Sequence, residues 1–243
     1  MWKIWGARCL YHSVGQIRVS ENLVYRWLQF DSSAIQTLIS RRKPYKPQLH
    51  YIKPLILASI LQPGTTCMFG LGGGGAAHAL LPYLQKNELL VVEKSAEVIE
   101  VAKQFFMFER LVNMQLLNQD AYSFAANSSK TWQNLIMDLF TAKDFPKDCA
   151  TELFFSHCKR LLKPNGILSV NIANVHEHWP LFKLIQQQFN RSTLVLLLKE
   201  SANIIIIAQN GSSIRPFIEL LQQNKWLISF TWDSDWGYLG QLK

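Results

Sequence analysis

The chain has 243 residues, of which 49% are hydrophobic, 12% aromatic and 17% charged; this is enough apolar material for a core of ordinary density and excludes wholesale disorder. Its length suits one large domain, or one medium domain with a small appendage. Formal net charge is +8, yet nine basic residues against only Glu21 and Asp31 lie within Met1 to Lys53, so seven of the eight net charges belong to one end.

From Gly15 to Phe30 the sequence reads as two short alternating runs, GQIRVS and LVYRWLQF, joined at Glu21-Asn22. This predicts a β-hairpin with Val24, Leu28 and Phe30 on one face and Tyr25 and Trp27 on the other. Arg41 to Pro47 (RRKPYKP) combines clustered charge with two prolines and reads as a linker or exposed loop. LHYIKPLILASIL then looks helical, with Pro54 limiting where the helix can begin.

Beyond this point short apolar runs alternate with amphipathic segments. The runs are TTCMFG (65–70), ELLVVE (88–93), VNMQLLN (112–118), NLIMDLF (134–140), GILSVNIA (166–173), TLVLLL (193–198) and NIIIIAQ (203–209). Between them, Val98, Val101, Ala102 and Phe105 mark one helical face, with Ser95 as its cap. Strand-helix repetition of this kind predicts a parallel sheet covered by helices on both faces. The last two runs are too close for a crossover helix and must pair antiparallel. The expected fold class is therefore α/β: a Rossmann-like fold of the S-adenosylmethionine-dependent methyltransferase type, with a mostly parallel seven-stranded sheet ending in an antiparallel C-terminal hairpin. A small N-terminal β domain precedes it. We place the β-hairpin domain and its basic linker at 1–46 and the adenosyl-binding domain at 47–243. The tail carries a helix (RPFIELLQQN) and an aromatic finish, WLISFTWDSDWGYL.

The candidate site lies on this frame. Gly70-Leu71-Gly72-Gly73-Gly74-Gly75 follows an apolar strand, precedes a helix, and satisfies G-x-G-x-x-G through Gly70, Gly72 and Gly75. Glycines permit positive φ in a sharp turn and let a ligand approach the backbone beside the positive end of the helix; the alternative is a flexible surface loop. Glu93 ends the second strand, close to the spacing of the acid that takes a ribose diol. Asp120 follows the third strand, where such sheets place an acceptor for the adenine amine; its alternative is a helix cap. Together these residues point to an adenosine ligand.

LGGGG, VVEKSAEVIEVAK, NQDA, MDLF and LLKPNGILSVNI resemble the spermidine synthase family of polyamine aminopropyltransferases, and VGQIRVSENLVYRWLQFD resembles that family's small N-terminal β domain. The resemblance spans roughly residues 12 to 210. It implies a transferase of polyamine biosynthesis that moves an aminopropyl or similar group from decarboxylated S-adenosylmethionine to a small-molecule amine, and it implies a homodimer. It assigns nucleotide contacts to Gly70, Gly72, Gly73, Gly75, Glu93, Asp120 and Gln36, substrate contacts to Tyr51 and Gln16, and amine handling to Asp138, with Asp144 as a substitute base. Two departures stand out. Gly73 occupies the position of the glycine-motif aspartate, and Thr141 occupies that of the catalytic aspartate in the loop after the fourth strand.

These departures keep two other readings open: a methyltransferase using S-adenosylmethionine itself, and a non-catalytic adenosine-binding module. The basic front, with RRKPYK near Tyr25 and Trp27, also suits nucleic acid, and it is expected to repel polyamine cations over about a Debye length of 8–10 Å. His78 is read as a helix-face residue near the site. His176 and His178 stand at i and i+2 with no third ligand evident, and cysteines 9, 67, 149 and 158 form no CxxC or CxxxC spacing, so no metal is expected. The N-terminus has no signal-like apolar segment and no run reaches the roughly 18–20 residues of a membrane helix, so the expected location is cytoplasmic, with no membrane partner.

Overall fold

A computed structural model describes residues 4–14, 17–30, 34–84, 87–141, 144–199 and 201–242. Among these residues thirteen strands form two sheets. Arg8–His12 (β1), Arg18–Glu21 (β2), Tyr25–Gln29 (β3) and Ile35–Ser40 (β4) make an antiparallel meander. The hairpin expected within residues 15–30 is β2–β3, paired from Arg18↔Gln29 to Glu21↔Arg26. Asn22 closes it by accepting the backbone N–H groups of Val24 and Tyr25 on its side-chain oxygen.

Two features of this small sheet differ from expectation. β1 and β4 add a strand on each side of the hairpin; their pattern was masked because a bulge interrupts β1 between Cys9 and Tyr11, and Ile35, Leu38 and Ile39 do not alternate. Trp27 and Leu28 are both buried although they point to opposite faces, while Val24 sits in the turn and is exposed. Leu28 packs with Ile17, Val19 and Ile39 against Val98, Val101 and Phe106 of the large domain. Glu21 is only 2% exposed and gathers Arg8 and Arg26, each at 2.6 Å, and Arg41 at 3.3 Å. Arg26 also donates to the Phe105 carbonyl, and the Tyr11 hydroxyl donates to Glu97 at 3.1 Å. The basic front is thus partly neutralised from within and pinned to the helix over residues 96–105 and its cap residue Phe106.

The large sheet contains Thr66–Phe69 (β5), Leu89–Glu93 (β6), Met114–Asn118 (β7), Trp132–Met137 (β8), Leu162–Ile172 (β9), Thr193–Leu197 (β10), Ile204–Gln209 (β11), Leu227–Asp233 (β12) and Gly237–Leu242 (β13). Their order is β12-β13-β10-β11-β9-β8-β5-β6-β7. β5 to β9 run parallel, and β11 is antiparallel to both β9 and β10, as the short connection between the last two runs required. The sheet has nine strands where seven were expected. The aromatic tail supplies the additional pair: Asp233 accepts the N–H groups of Asp235 and Trp236 to make the turn, and β13 joins β10 in parallel.

Helices Ile52–Leu55 (α1), Leu57–Leu61 (α2), Gly75–Leu84 (α3), Ala96–Phe105 (α4), Ala121–Asn127 (α5), Glu152–Arg160 (α6), Val175–Gln188 (α7) and Arg215–Gln223 (α8) complete the fold. The segment expected as one helix after the linker divides into α1 and α2 at Ile56, whose backbone (φ −88°, ψ 0°) leaves the helical region. Alternation along each strand sends side chains to two separate cores. Val91, Ile205 and Ile207 join one, and Val92, Ile204 and Ile206 the other. Ser95 caps α4 by accepting the Val98 N–H, as its sequence position suggested.

Candidate active site

The carboxyl ends of β5, β6 and β8 open onto a cavity of about 510 Å³, in the range of small-molecule sites. Its floor is the glycine turn. Gly70, Gly72 and Gly74 adopt φ of +93°, +52° and +74°, which side chains rarely tolerate. A Cβ on Gly70 would also collide with the Asp138 carbonyl, so β5 and β8 approach closely only because residue 70 is glycine. Gly70, Gly72 and Gly75 line the cavity.

Gly73 is placed differently. It is absent from the cavity wall; its N–H donates to the Thr37 hydroxyl at 2.9 Å, and a Cβ there would meet the Phe106 ring at 2.8 Å and Thr37 Cγ2 at 2.9 Å. Phe106 is itself held by His78, a buried residue whose Nε2–H donates to the Phe106 carbonyl at 2.7 Å. Burial pushes the His78 pKa down, which keeps it neutral. Residue 73 therefore has neither a side chain nor room for one without a shift of Phe106 or Thr37.

Glu93 lies at the cavity wall with one carboxylate oxygen accepting the Leu71 N–H and the other the Ser95 N–H, both at 2.9 Å. Asp120 combines two expectations: it lines the cavity and caps α5 by accepting the Ser123 N–H at 3.0 Å. Lys94 stands 3.3 Å from its other oxygen. Partial burial pushes the Asp120 pKa up, but the Ser123 and Lys94 contacts together outweigh it and hold it down.

Asp138 follows β8 and faces the same cavity. Asn171 donates to its Oδ1 at 2.9 Å and the Tyr51 hydroxyl donates to its Oδ2 at 3.1 Å. Loss of solvent pushes its pKa up despite both bonds, and the same desolvation, together with the Asp138 charge, pushes the Tyr51 phenol well up. Gln36 also lines the cavity, and Gln16 lies outside the described residues. Thr141 is at the cavity mouth, with its hydroxyl bonded to the Asp144 backbone. The Asp144 carboxylate is not part of the cavity wall; it stands 3.4 Å from His176 Nε2.

The expectation about charge changes here, and His176 has neighbours that its spacing did not show. The cavity wall carries Glu93, Glu97, Asp120, Asp138 and Asp148 against Lys94, so its field attracts cations although the chain as a whole is basic. His176 finds its acidic neighbours in Asp144 and Glu177, not His178, with ligand atoms within 4.8 Å of one another. Both Glu177 oxygens are already bonded, to the Phe145 N–H and the Asn174 amide. The four cysteines are free thiols, three of them buried.

Sequence reasoning missed three residues of this site: Thr37, Phe106 and Asn171. Asn171 had a signal, since it is a polar residue inside the apolar run GILSVNIA and is fully buried. Thr37 and Phe106 had none, because they reach the glycine turn only through folding.

A parallel sheet with this strand order, a glycine turn after its first strand and acids at the next two strand ends defines the class I methyltransferase-like, adenosyl-binding fold. Comparison with known proteins narrows the class. Residues 59–201 match the spermine/spermidine synthase domain, and the chain belongs to that family. It is 25% identical over 148 residues to polyamine aminopropyltransferase 1 of Aquifex aeolicus (strain VF5), covering 58% of this chain and 52% of that protein. It is 23% identical over 216 residues to a polyamine aminopropyltransferase of Vibrio vulnificus (strain CMCP6), covering 77% and 70%. The matched stretch is thus about half the length of the first relative and about two thirds of the second. A spermidine synthase crystallised with the transition-state analogue AdoDATO shares the fold, with a TM-score of 0.66 and 19% identity over 84% of this chain and 74% of that one.

Proposed function

We propose that the protein transfers an aminopropyl or similar group from decarboxylated S-adenosylmethionine to a small-molecule amine. The observation that carries this reading is the acidic wall, with Asp138 at the end of β8, the position to which the family resemblance assigns amine handling. In this reading Glu93 takes the ribose hydroxyls and Asp120 the adenine amine, while Gly70, Gly72, Gly75 and Gln36 shape the nucleotide site. A carboxylate already bonded to backbone N–H groups still has lone pairs for a diol.

The chemistry is a displacement at carbon. The acceptor amine is nucleophilic only when unprotonated; its lone pair forms the new C–N bond as the C–S bond breaks, and the sulfonium becomes the neutral thioether of methylthioadenosine. The new ammonium then loses a proton. Asp138 holds the amine, with Tyr51 and Asn171 fixing its two oxygens, and its raised pKa suits it to receive that proton. Asp144, which was the substitute base, stands beside His176 outside the wall, so this reading gives it no proton-transfer step.

One observation favours S-adenosylmethionine as an alternative donor. With Gly73 covered by Phe106 and Thr37, no carboxylate stands there to oppose the donor's own carboxylate. The family further suggests a cytoplasmic homodimer built partly through residues 1–46; among the described residues no helix is long and apolar enough to cross a membrane. The test is release of methylthioadenosine from decarboxylated S-adenosylmethionine in the presence of putrescine, spermidine and longer diamines. Turnover with at least one is expected, and no turnover with any of them overturns the reading.

A further inference from the structure

Asp138 is connected to a distant turn. The fully buried Asn171 of β9 donates its amide to Asp138 Oδ1, and its own Oδ1 accepts from the Asn203 amide at 2.8 Å. Asn203 lies just before β11, in the turn that joins it to β10. Its Oδ1 accepts the Ser201 hydroxyl at 3.0 Å, and its backbone N–H donates to the same Ser201 oxygen at 3.1 Å.

The direction of this chain is set from the carboxylate end, and the Ser201 end agrees with it: the Ser201 oxygen accepts the Asn203 backbone N–H and its single proton lies on Asn203 Oδ1. An ionised carboxylate can only accept, so the Asn171 NH₂ faces Asp138; the Asn171 oxygen then needs a donor, and the Asn203 NH₂ supplies it.

We propose that Ser201, Asn203 and Asn171 form a one-way hydrogen-bond relay that holds Asp138 as a charged acceptor, making Ser201 and Asn203 positioning residues for a carboxylate neither of them touches. The inference deepens the functional reading above, which gives Asp138 its role. It explains why a polar side chain sits in the buried carboxyl end of β9: an uncharged donor there offsets the cost of ionising Asp138 away from water. The other groups facing Asp138 are separate from the relay. Tyr51 bonds its second oxygen, the glycine turn beneath it carries no titratable side chain, and Glu93, Lys94 and Asp120 lie at neighbouring strand ends. His178 stands beside the Ala202 and Ile172 backbone with its pKa pushed down by burial.

The experiment is a carbon-13 titration of the Asp138 carboxyl in the full chain, assigned by its loss in Asp138→Asn. Asn203→Asp replaces the donor by an acceptor, so Asn171 must turn its NH₂ away and present its oxygen to Asp138. The expected result is a rise in the Asp138 proton affinity of about tenfold or more, one pKa unit. Ser201→Ala removes only the lock and is expected to give a smaller rise, about two- to fivefold. Thermal unfolding checks that each variant is folded, and if Asn203→Asp is not, Ser201→Ala decides. An Asp138 titration unchanged in the folded variants overturns the relay. The readout needs no turnover, so an inactive enzyme would refute the functional reading while leaving the relay to stand or fall on the titration.

Discussion

Glu93 and Asp138 both end strands on one cavity, yet they are held in opposite ways. Glu93 is fixed by two backbone N–H groups from residues within 22 positions, and through them it ties the glycine turn to the start of α4. Asp138 is fixed by side chains from residues 51 and 171, which lie 87 and 33 positions away. The Glu93 end is therefore assembled by local strand-turn-helix geometry. The Asp138 end exists only when distant segments pack correctly.

Substitutions at each end test this contrast. The largest effect is expected at the amine end: Asp138→Asn should lower turnover by about 10²–10⁴-fold, measured as methylthioadenosine release, with affinity for methylthioadenosine itself little changed. Glu93→Ala should do the reverse, weakening methylthioadenosine by roughly 100-fold in calorimetry through loss of charge-assisted bonds to the ribose.

Glu21→Ala probes the pin between the small sheet and α4. It leaves Arg8, Arg26 and Arg41 without their shared partner and should cost roughly 2–4 kcal/mol of unfolding free energy, below the full figure for a buried pair because Arg8 is exposed. The Glu21 carboxyl sits below the usual range: burial pushes it up, but bonds to Arg26 and Arg8 together outweigh that. Its stabilisation is accordingly complete above the ordinary carboxylate pKa and is lost as pH falls through the lowered value, so the variant and the parent should converge in stability in acid.

A smaller effect is expected at Gly73. Gly73→Asp should destabilise by about 1–3 kcal/mol through overpacking against Phe106, and Phe106→Ala should recover part of that penalty. The smallest is a displacement in pH. Activity that needs ionised Asp138 should fall on the acid side at a pH above that of an ordinary carboxylate, and Tyr51→Phe, which removes a bond that lowers the Asp138 pKa, should move that limb higher still.

The same contrast explains what was legible in the sequence. The glycine turn, Glu93, Asp120 and the antiparallel β10–β11 pair could be read because each depends on neighbours close in the chain. Asn203 could not, and Asn171 showed only as a polar residue in an apolar run, because their contacts arise from β9 lying between β8 and β11 in the strand order. Phe106 covers Gly73 only once the end of α4 returns to the glycine turn, and no spacing announces this. The β12–β13 pair was hidden by composition, since a tail of mixed polar and aromatic residues looks like a loose end until β10 offers it an edge. Net charge misled for a related reason: three arginines of the front converge on Glu21, whereas the acids that matter to a cationic ligand line one cavity drawn from several segments.

The most direct test of the account is a calorimetric comparison of methylthioadenosine and decarboxylated S-adenosylmethionine on the parent chain and Asp138→Asn. The two ligands share the adenosine and differ in the sulfonium and amine charges. The account predicts tighter binding of the decarboxylated donor to the parent and a preference that collapses in Asp138→Asn. Equal affinities in the parent, or a preference untouched by Asp138→Asn, would contradict it.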